Sequence, residues 1–375
     1  MQHSIQVNRP GHIPVLDGVR GLAILCVVLW HYMDFVQPWF PGWAGVDLFF
    51  VLSGYLITGR LMQTKGAHGY FSRFYRNRIL RIFPLYYTVV IAFFVFIRFF
   101  MQSKHLPLYA IYTQHWKSFL LFTENWTFIR FGIPRDLSLT PLWSVAVEEQ
   151  FYLLWPLVIF LTPSAKSRLW IFSAGILLVL LARSLAYLIS GSPDHNYYNT
   201  FVRMDSLLAG SLLYQLHYLG ITISSRLLKW TAGILLVVFL SGVLFSGTPS
   251  PFTPFMATTG YTVVALLFTC LLQRAVQPSE GIIPRFFNMG FLRYLGKISY
   301  GLYIFHVPLL IMVGPKLYFW GIARWPDQAA LIQWTSTTLC LLLALLISDT
   351  SYRYFESWFL SFKDKTPQKK YKFEQ

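Results

Sequence analysis

Long apolar stretches alternate with short polar connections along almost the whole chain. A membrane-spanning helix needs about 20 mostly apolar residues, and ten stretches come close to that length. They cover residues 15–32, 44–61, 80–101, 142–161, 168–189, 204–219, 228–247, 256–273, 292–313 and 329–349. An eleventh stretch, 106–122, is weaker because Gln114, His115 and Lys117 interrupt it. The pattern predicts an all-α fold, a polytopic membrane bundle of about ten transmembrane helices.

Composition supports the membrane and changes the meaning of the net charge. Of the 375 residues, 55% are hydrophobic and 12% are charged, about half the charged fraction of an average soluble domain. These values exclude a disordered chain and an ordinary soluble enzyme. A net charge of +16 would suggest nucleic acid as the partner of a soluble protein, but in a membrane protein Lys and Arg collect in cytoplasmic loops. We therefore expect membrane lipids as neighbours and no nucleic-acid partner.

The positions of Lys and Arg also orient the predicted bundle. With ten spans and both termini in the cytoplasm, most basic residues lie on the cytoplasmic side. If 106–122 were a further span, the connections around Arg168, Arg226 and Arg285 would move outside, against the usual bias. We therefore predict that 106–122 lies along or dips into the outer leaflet, within a long outer loop over 102–141.

The predicted spans leave no room for a second folded domain within this sequence. Residues 1–350 are expected to form the transmembrane domain and residues 351–375 a basic cytoplasmic tail, whose lysines would favour anionic lipid. Arg20 interrupts the first apolar run and no small-residue cleavage site follows it, so we expect no signal peptide.

Two ionisable residues share the first span. Arg20 and His31 are eleven positions apart, which brings them within about 20° of each other around the helix and separates them by about 16.5 Å along its axis. One helix face therefore offers an anion site near the cytoplasmic end and a titratable base near the outer end. A snorkelling arginine and an unrelated interfacial histidine would give the same pattern.

Acidic residues are scarce, and three of them fall near the outer ends of predicted spans. Asp47 opens the second span, and Glu148 and Glu149 lie within two turns of the start of the fourth. A carboxylate beside an imidazole raises its basicity and fixes its tautomer. We therefore predict a catalytic group of His31 with Glu148, Glu149 or Asp47, although Asp47 would also serve to cap its own helix.

A basic run marks the connection into the third span. The sequence has no acidic residue between Asp47 and Glu124, and Arg78 and Arg81 are three positions apart on one helix face. Such a pair suits a phosphate-rich ligand through bidentate, charge-assisted hydrogen bonds. Binding to lipid of the inner leaflet would explain the same residues.

Three further residues carry charge or titrate in predicted spans. Arg203 and Asp205 open the sixth span on the outer side, either as an acceptor site or as a local ion pair. His306, in the outer half of the ninth span, is interpreted as a core histidine with satisfied nitrogens. The spacing of Cys and His matches no zinc motif, so no metal is expected.

Four segments taken in order are more specific than any one of them. They are Arg20 with ten residues before His31, the run GVDLFFVLSG from Gly45 to Gly54, the run RILR from Arg78 to Arg81, and the run WSVAVEEQFY from Trp143 to Tyr152. Their order and spacing resemble the acyltransferase-3 family of integral membrane acyltransferases, and the segments that begin at Arg203 and Ile298 also fit. The resemblance covers the chain from about residue 12 to 350.

The resemblance implies transfer of an acyl group, typically acetyl, from cytoplasmic acyl-CoA to a hydroxyl of a cell-surface glycan or similar acceptor, at a bacterial inner membrane. The residues expected to hold the CoA phosphates are Arg20, Arg78 and Arg81. The residues expected at the acceptor are Trp143, Tyr152, Arg203 and Asp205. Some members of the family carry an esterase-like domain after the spans, and we expect none here.

Two points stay open at this stage. His31 acts either as a general base on the acceptor hydroxyl or as the carrier of the acyl group in a covalent relay. A transporter or flippase is the competing function, because such proteins also place charged residues in a membrane cavity. The one-sided arginine cluster and the lack of an inverted repeat favour the enzyme. The sequence predicts no particular oligomeric state.

Overall fold

A computed structural model describes residues 13–100, 108–277 and 281–364, with the side chain of residue 100 left out. It confirms the predicted helical bundle, and these ranges contain no strand. Ten principal helices account for the bundle: α1 (Pro14–Tyr32), α2 (Gly45–Thr64), α3 (Tyr70–Phe100), α4 (Leu142–Leu161), α5 (Ala165–Ser190), α6 (Met204–Tyr218), α7 (Ser225–Ser246), α8 (Tyr261–Val276), α9 (Gly290–Ile322) and α10 (Ala329–Thr350).

Nine helical segments of the described chain are long and apolar enough to cross a membrane. The sixth predicted span, 204–219, is not one of these nine segments, although a helix forms at the predicted position. Its helix α6 has 15 residues, about 22 Å of rise against a hydrocarbon core of about 30 Å. A separate turn of 3₁₀ helix, Thr200–Val202, precedes it. Because the orientation with both termini in the cytoplasm was built on ten full spans, that orientation stays a prediction.

Glycines allow two pairs of helices to approach closely. A Cβ atom on Gly54 of α2 would overlap the carbonyl oxygen of Leu207 in α6, and one on Gly210 of α6 would overlap that of Val51 in α2. In the same way, a Cβ atom on Gly296 of α9 would overlap the backbone of α1. Small residues at such crossings let helix backbones pack directly. The α1–α9 contact positions the histidines described below.

The stretch 106–122 does not form a membrane-spanning helix. Its described part folds into two helices of five residues each, Ala110–Gln114 and Trp116–Leu120. Each rises only about 7.5 Å, far less than a bilayer requires. Tyr112 and Phe119 are fully buried, so these helices pack onto the bundle. This agrees with the predicted loop, although residues 106 and 107 lie outside the described residues.

The chain continues as helix beyond residue 350, the boundary predicted for the tail. The last helix continues through a π-helical turn, Ser351–Glu356, and a further helix, Ser357–Ser361. Tyr352 and Phe355 pack against the hydrophobic core, which explains why the helix does not stop at the expected boundary. The lysine-rich end of the predicted tail, 365–375, lies outside the described residues.

Candidate active site

Helices α1, α2, α3, α4 and α9 enclose a polar cavity. Five residues that the sequence analysis singled out contribute to its wall: Arg20, Arg78, Arg81, Glu148 and Tyr152. The polar residues lining this cavity are Arg20, Ser53, Arg78, Arg81, Ser144, Glu148, Tyr152, Ser299, Tyr300 and Tyr303. We call the side that carries the three arginines the basic end.

At the basic end, the arginines from α1 and α3 are held by neighbouring side chains. Arg20 Nη1 lies 3.0 Å from Asp17 Oδ1 on the same helix. The guanidinium of Arg78 lies 5.1 Å from the centre of the Tyr152 ring, a favourable cation–π arrangement. Arg81 lines the same wall. Three guanidinium groups around one cavity form a binding site suited to an anion with several oxygen atoms.

Glu148 belongs to a hydrogen-bonded group in the wall of this cavity. Its carboxylate accepts hydrogen bonds from Ser53 and Tyr152 and faces Arg78 and Arg81. The hydroxyls of Ser53 and Tyr152 are also bonded to each other. Glu149, in contrast, is absent from the lining of the cavity, and its buried Oε1 has no hydrogen-bond partner among the described residues. The structure thus separates two adjacent carboxylates that the sequence treats alike.

His31 lies beside a second histidine. Its Nδ1–H donates to the carbonyl of Val27 at 2.9 Å, which leaves Nε2 with the lone pair of a neutral imidazole. The ring of His306 is 5.0 Å away between centroids, in an edge-to-face arrangement. His306 is fully buried, and its Nδ1–H donates to the carbonyl of Tyr303 at 2.8 Å.

The interpretation of His306 as a satisfied core histidine is therefore wrong. Its Nε2 is buried and has no hydrogen-bond partner in the described part of the chain. An unpaired buried polar atom costs about 1–3 kcal/mol and is typical of functional sites. Only a weak feature of the sequence pointed to this pairing of histidines. Gly296, ten residues before His306 on α9, permits the close approach of α1.

Tyr303 lies between the histidine pair and the cavity, whose lining includes neither His31 nor His306. The Tyr303 ring lies 5.6 Å from that of His306, and its hydroxyl is 2.6 Å from Ser144 Oγ. Both Tyr303 and Ser144 line the cavity. Glu148 follows Ser144 by one helical turn, about 6 Å of rise, in the direction of the arginines. The sequence predicted a glutamate beside His31, but the neighbour of His31 is the ring of His306. Glu148 faces Arg78 instead.

Asp47 is committed to a different partner from the one expected. It is completely buried, its Oδ1 lies 3.0 Å from Arg203 Nη2, and it accepts a hydrogen bond of 3.0 Å from Ser206. These contacts join α2 to α6. The prediction that Asp47 orients His31 is corrected on this basis, because its carboxylate neutralises a buried arginine instead.

The predicted acceptor residues are also tightly packed. Asp205 Oδ2 lies 2.7 Å from Arg183 Nη1, and both side chains are 0% exposed. Arg203 lies 3.8 Å from the centre of the Tyr261 ring and 5.8 Å from that of Trp143. Of the four predicted acceptor residues, only Tyr152 lines the polar cavity. The other three hold α6 and α4 in the bundle, since ion pairs and rings fill their surroundings.

A metal site is not evident in the described ranges. No group of three or more His, Cys, Asp or Glu side chains in these ranges has an arrangement that would hold a metal ion. The cavity instead offers arginines, hydroxyls and one carboxylate, a set suited to binding an anionic organic molecule.

These features define a multi-pass membrane protein with a buried polar site between its helices. The chain belongs to the acyltransferase-3 family, as the order of its motifs suggested: the model of that family's acyltransferase domain matches residues 13–353. No solved structure gives a significant match to the chain.

Two bacterial relatives resemble most of the chain. Peptidoglycan O-acetyltransferase OatA of Listeria monocytogenes is 31% identical over 379 aligned residues, which cover 94% of this chain and 58% of the relative. O-acetyltransferase OatA of Staphylococcus aureus is 28% identical, covering 93% of this chain and 57% of the relative. The chain therefore spans less than three fifths of the length of these relatives. Both carry the names of transferases and neither that of a transporter.

Proposed function

We propose that this chain transfers an acetyl group from acetyl-CoA, bound from the cytoplasm, to a hydroxyl of a cell-envelope glycan. The observation that carries the proposal is the polar cavity, which joins Arg20, Arg78 and Arg81 in one wall. The names of both relatives support acetyl as the group, and the name of the Listeria monocytogenes relative supports a glycan as the acceptor. The same argument favours an inner-membrane location with the basic end facing the cytoplasm.

The arginines would bind the phosphates of the donor. CoA carries phosphate groups at one end and its thioester at the other, so it needs cations near one end of a channel and a reactive group farther inside. Arg20 and His31 are separated by about 16.5 Å of helix rise on α1, a length that the extended pantetheine arm can span. Arginine forms bidentate hydrogen bonds to phosphate, which would fix the donor in one orientation.

His31 is the proposed general base. Its Nε2 takes the proton of the acceptor hydroxyl while the hydroxyl oxygen attacks the thioester carbonyl. The tetrahedral intermediate then collapses, the carbon–sulfur bond breaks, and the proton on His31 passes to the thiolate of CoA. The products are an acetyl ester and free CoA. His306 accepts a hydrogen bond from the protonated ring of His31 and thereby stabilises the positive charge.

Glu148 is proposed as a positioning residue for the donor. It contacts Ser53 and Tyr152 and faces Arg78, whose guanidinium stacks on Tyr152. Removing its charge would therefore loosen Arg78. The contacts of Asp47, Arg203 and Asp205 support a structural role, because each side chain is held in a buried ion pair.

The proposed function is tested by measuring O-acetylation of the cell-envelope glycan. A deletion strain complemented with the wild-type chain should regain O-acetylated glycan by mass spectrometry, and His31→Ala should not restore it. Full restoration by His31→Ala would contradict the assignment of the base.

The covalent relay through His31 remains the alternative route, and a second experiment separates it from direct transfer. The purified full chain is incubated with acetyl-CoA labelled in the acetyl group, without acceptor. Label retained on the wild-type protein and lost in His31→Ala indicates the relay, whereas unlabelled protein that still acetylates an added acceptor indicates direct transfer.

A further inference from the structure

The segment Phe362–Asp364 is fastened to the beginning of α3. Asp364 Oδ1 lies 3.0 Å from Arg76 Nη1, and its backbone N–H donates to Asn77 Oδ1 at 3.1 Å. Arg76 Nη2 also donates to the carbonyl of Phe362 at 3.3 Å. Anchors on both sides of Lys363 thus hold it beside the turn of α3 that carries Arg78.

Lys363 joins the arginines of the basic end. Lys363 is half-buried, and the positive charges of Arg81, Arg78, Arg20 and Arg60 act on its ammonium group. Burial, together with these four positive charges, lowers the pKa of Lys363 from 10.5 to about 7. Gathering like charges in a partly buried place is unfavourable in the absence of an anion, and the same arrangement concentrates positive potential where an anion would bind.

The acidic side chains near Lys363 and the arginines are paired with other groups or offset only part of the positive charge. Asp364 is paired with Arg76, and Asp17 with Arg20. Glu356 accepts a hydrogen bond from Ser351 and faces Arg81, while Glu148 and Glu149 face Arg78.

We propose that Lys363 binds a phosphate group of the donor, and that the segment Phe362–Asp364 closes the basic end of the cavity around it. The identity of the donor rests on the proposed function. The inference adds a binding residue from outside the membrane-spanning helices and gives the end of the described chain a role in catalysis. It also makes donor binding depend on the ion pair between Arg76 and Asp364.

The test is titration of the purified full chain with CoA by calorimetry at constant ionic strength. Lys363→Ala should weaken binding by about tenfold, as expected for one hydrogen bond between charged groups, and Lys363→Arg should restore it. Asp364→Ala should weaken binding to a similar extent, and the double variant no further, because both act through one group. Lys166→Ala, at an exposed lysine, is the matched control and should bind as the wild type does.

The pH dependence of CoA affinity tests the role of Lys363 independently. Lys363 is protonated below its pKa of about 7, so wild-type affinity for CoA should fall as the pH rises from 6 to 8. Lys363→Arg should remove that fall. Calorimetry in two buffers of different ionisation enthalpy should show uptake of a proton when wild type binds CoA at pH 7.5.

The outcomes separate the inference from the function on which it rests. Absence of CoA binding by the wild-type protein would overturn the donor itself and with it the role of Lys363. Binding of CoA that is equal in wild type and Lys363→Ala, with the same pH profile, would overturn only the role of Lys363. Failure of Lys363→Arg to restore binding, in a variant with wild-type thermal stability, would show that the charge is not what matters and would also reject it.

Discussion

The imidazole of His31 meets that of His306 edge to face, with 5.0 Å between the ring centroids and 70° between the ring planes. Each Nδ1 is bonded to a carbonyl of its own helix, so each ring keeps its Nε2 for other partners. Two adjacent imidazoles repel each other when both are protonated. The pair therefore handles one proton at a time, which is what a base needs when it first accepts a proton and then returns it.

Substitution of the two histidines should have unequal effects. His31→Gln removes the base and should lower kcat/KM for acetyl transfer by about 10²–10⁴-fold. His306→Gln leaves the base in place but removes its neighbour, and should lower kcat by about tenfold with little change in the KM for the donor. Turnover of acetyl-CoA by the purified protein measures both. His195→Ala, at an exposed histidine, is the control and should retain wild-type rates.

Equal and small effects of the two substitutions would contradict the assigned roles. A larger loss of kcat/KM for His306→Gln than for His31→Gln would show that His306 is the base and His31 its neighbour. The thermal stability of each variant should be measured alongside, because a loss of folding in His306→Gln would otherwise resemble a loss of catalysis.

The sequence predicts the helices much better than it predicts the site. Runs of apolar residues identify the long helices because lipid requires a continuous apolar surface of fixed length. The short α6 departs from this rule because it is packed inside the bundle, where Asp205, Ser206 and Ser211 are buried and hydropathy no longer reports the length of a span.

Pairings between distant helices explain what the sequence could not predict at the site. Arg20, Arg78 and Arg81 converge as expected because motif order identified them together. His31 and His306 are 275 positions apart, and no local pattern connects them. Asp47 and Glu148 occupy similar positions at the starts of their helices, yet one faces a buried arginine and the other a cavity. Only the rotation of each helix in the bundle decides between these environments.

The adjacent glutamates should differ when each is replaced by glutamine. Glu148→Gln should raise the KM for acetyl-CoA by about tenfold or more, because the neutral amide no longer holds Arg78 through a charged interaction. Glu149→Gln should raise the KM less than Glu148→Gln does, because Glu149 also faces Arg78 but does not line the cavity. Steady-state kinetics over a range of donor concentrations separates KM from kcat. Equal increases in KM would contradict the distinction that the structure draws between these two side chains.

The ion pair between Asp205 and Arg183 should determine stability more than substrate binding. Asp205→Ala leaves a guanidinium uncompensated at a fully buried site, which typically costs about 3–5 kcal/mol. Arg353→Ala is the control because it breaks an exposed pair with Asp349, worth about 0–1 kcal/mol. Thermal unfolding in one detergent compares the two. A stable Asp205→Ala variant with a raised KM for the glycan would instead support the acceptor role that the sequence suggested.

Glu124 should make the protein less stable as the pH rises. It lies in a short helix of the connection between α3 and α4, Glu124–Phe131, is completely buried, and accepts a hydrogen bond of 3.0 Å from Tyr86. Burial raises the pKa of its carboxyl from 4.5 to about 8. The folded protein therefore retains a proton that the unfolded chain releases above pH 4.5. The stabilisation of the folded state by this retained proton is complete below pH 4.5, and it disappears as the pH rises through about 8.

The measurement is the unfolding temperature of wild type and Glu124→Gln between pH 5 and pH 9. Glutamine is neutral throughout and keeps an oxygen for Tyr86, so its profile should lack the contribution of this carboxyl. The wild-type free energy of unfolding should fall relative to that of the variant by up to about 1.4 kcal/mol per pH unit, mostly between pH 5 and pH 8. Comparing the two profiles cancels other titrating groups, including Lys363, whose lowered pKa makes stability rise between about pH 7 and 10.5. Parallel profiles would show that Glu124 titrates normally and has access to water.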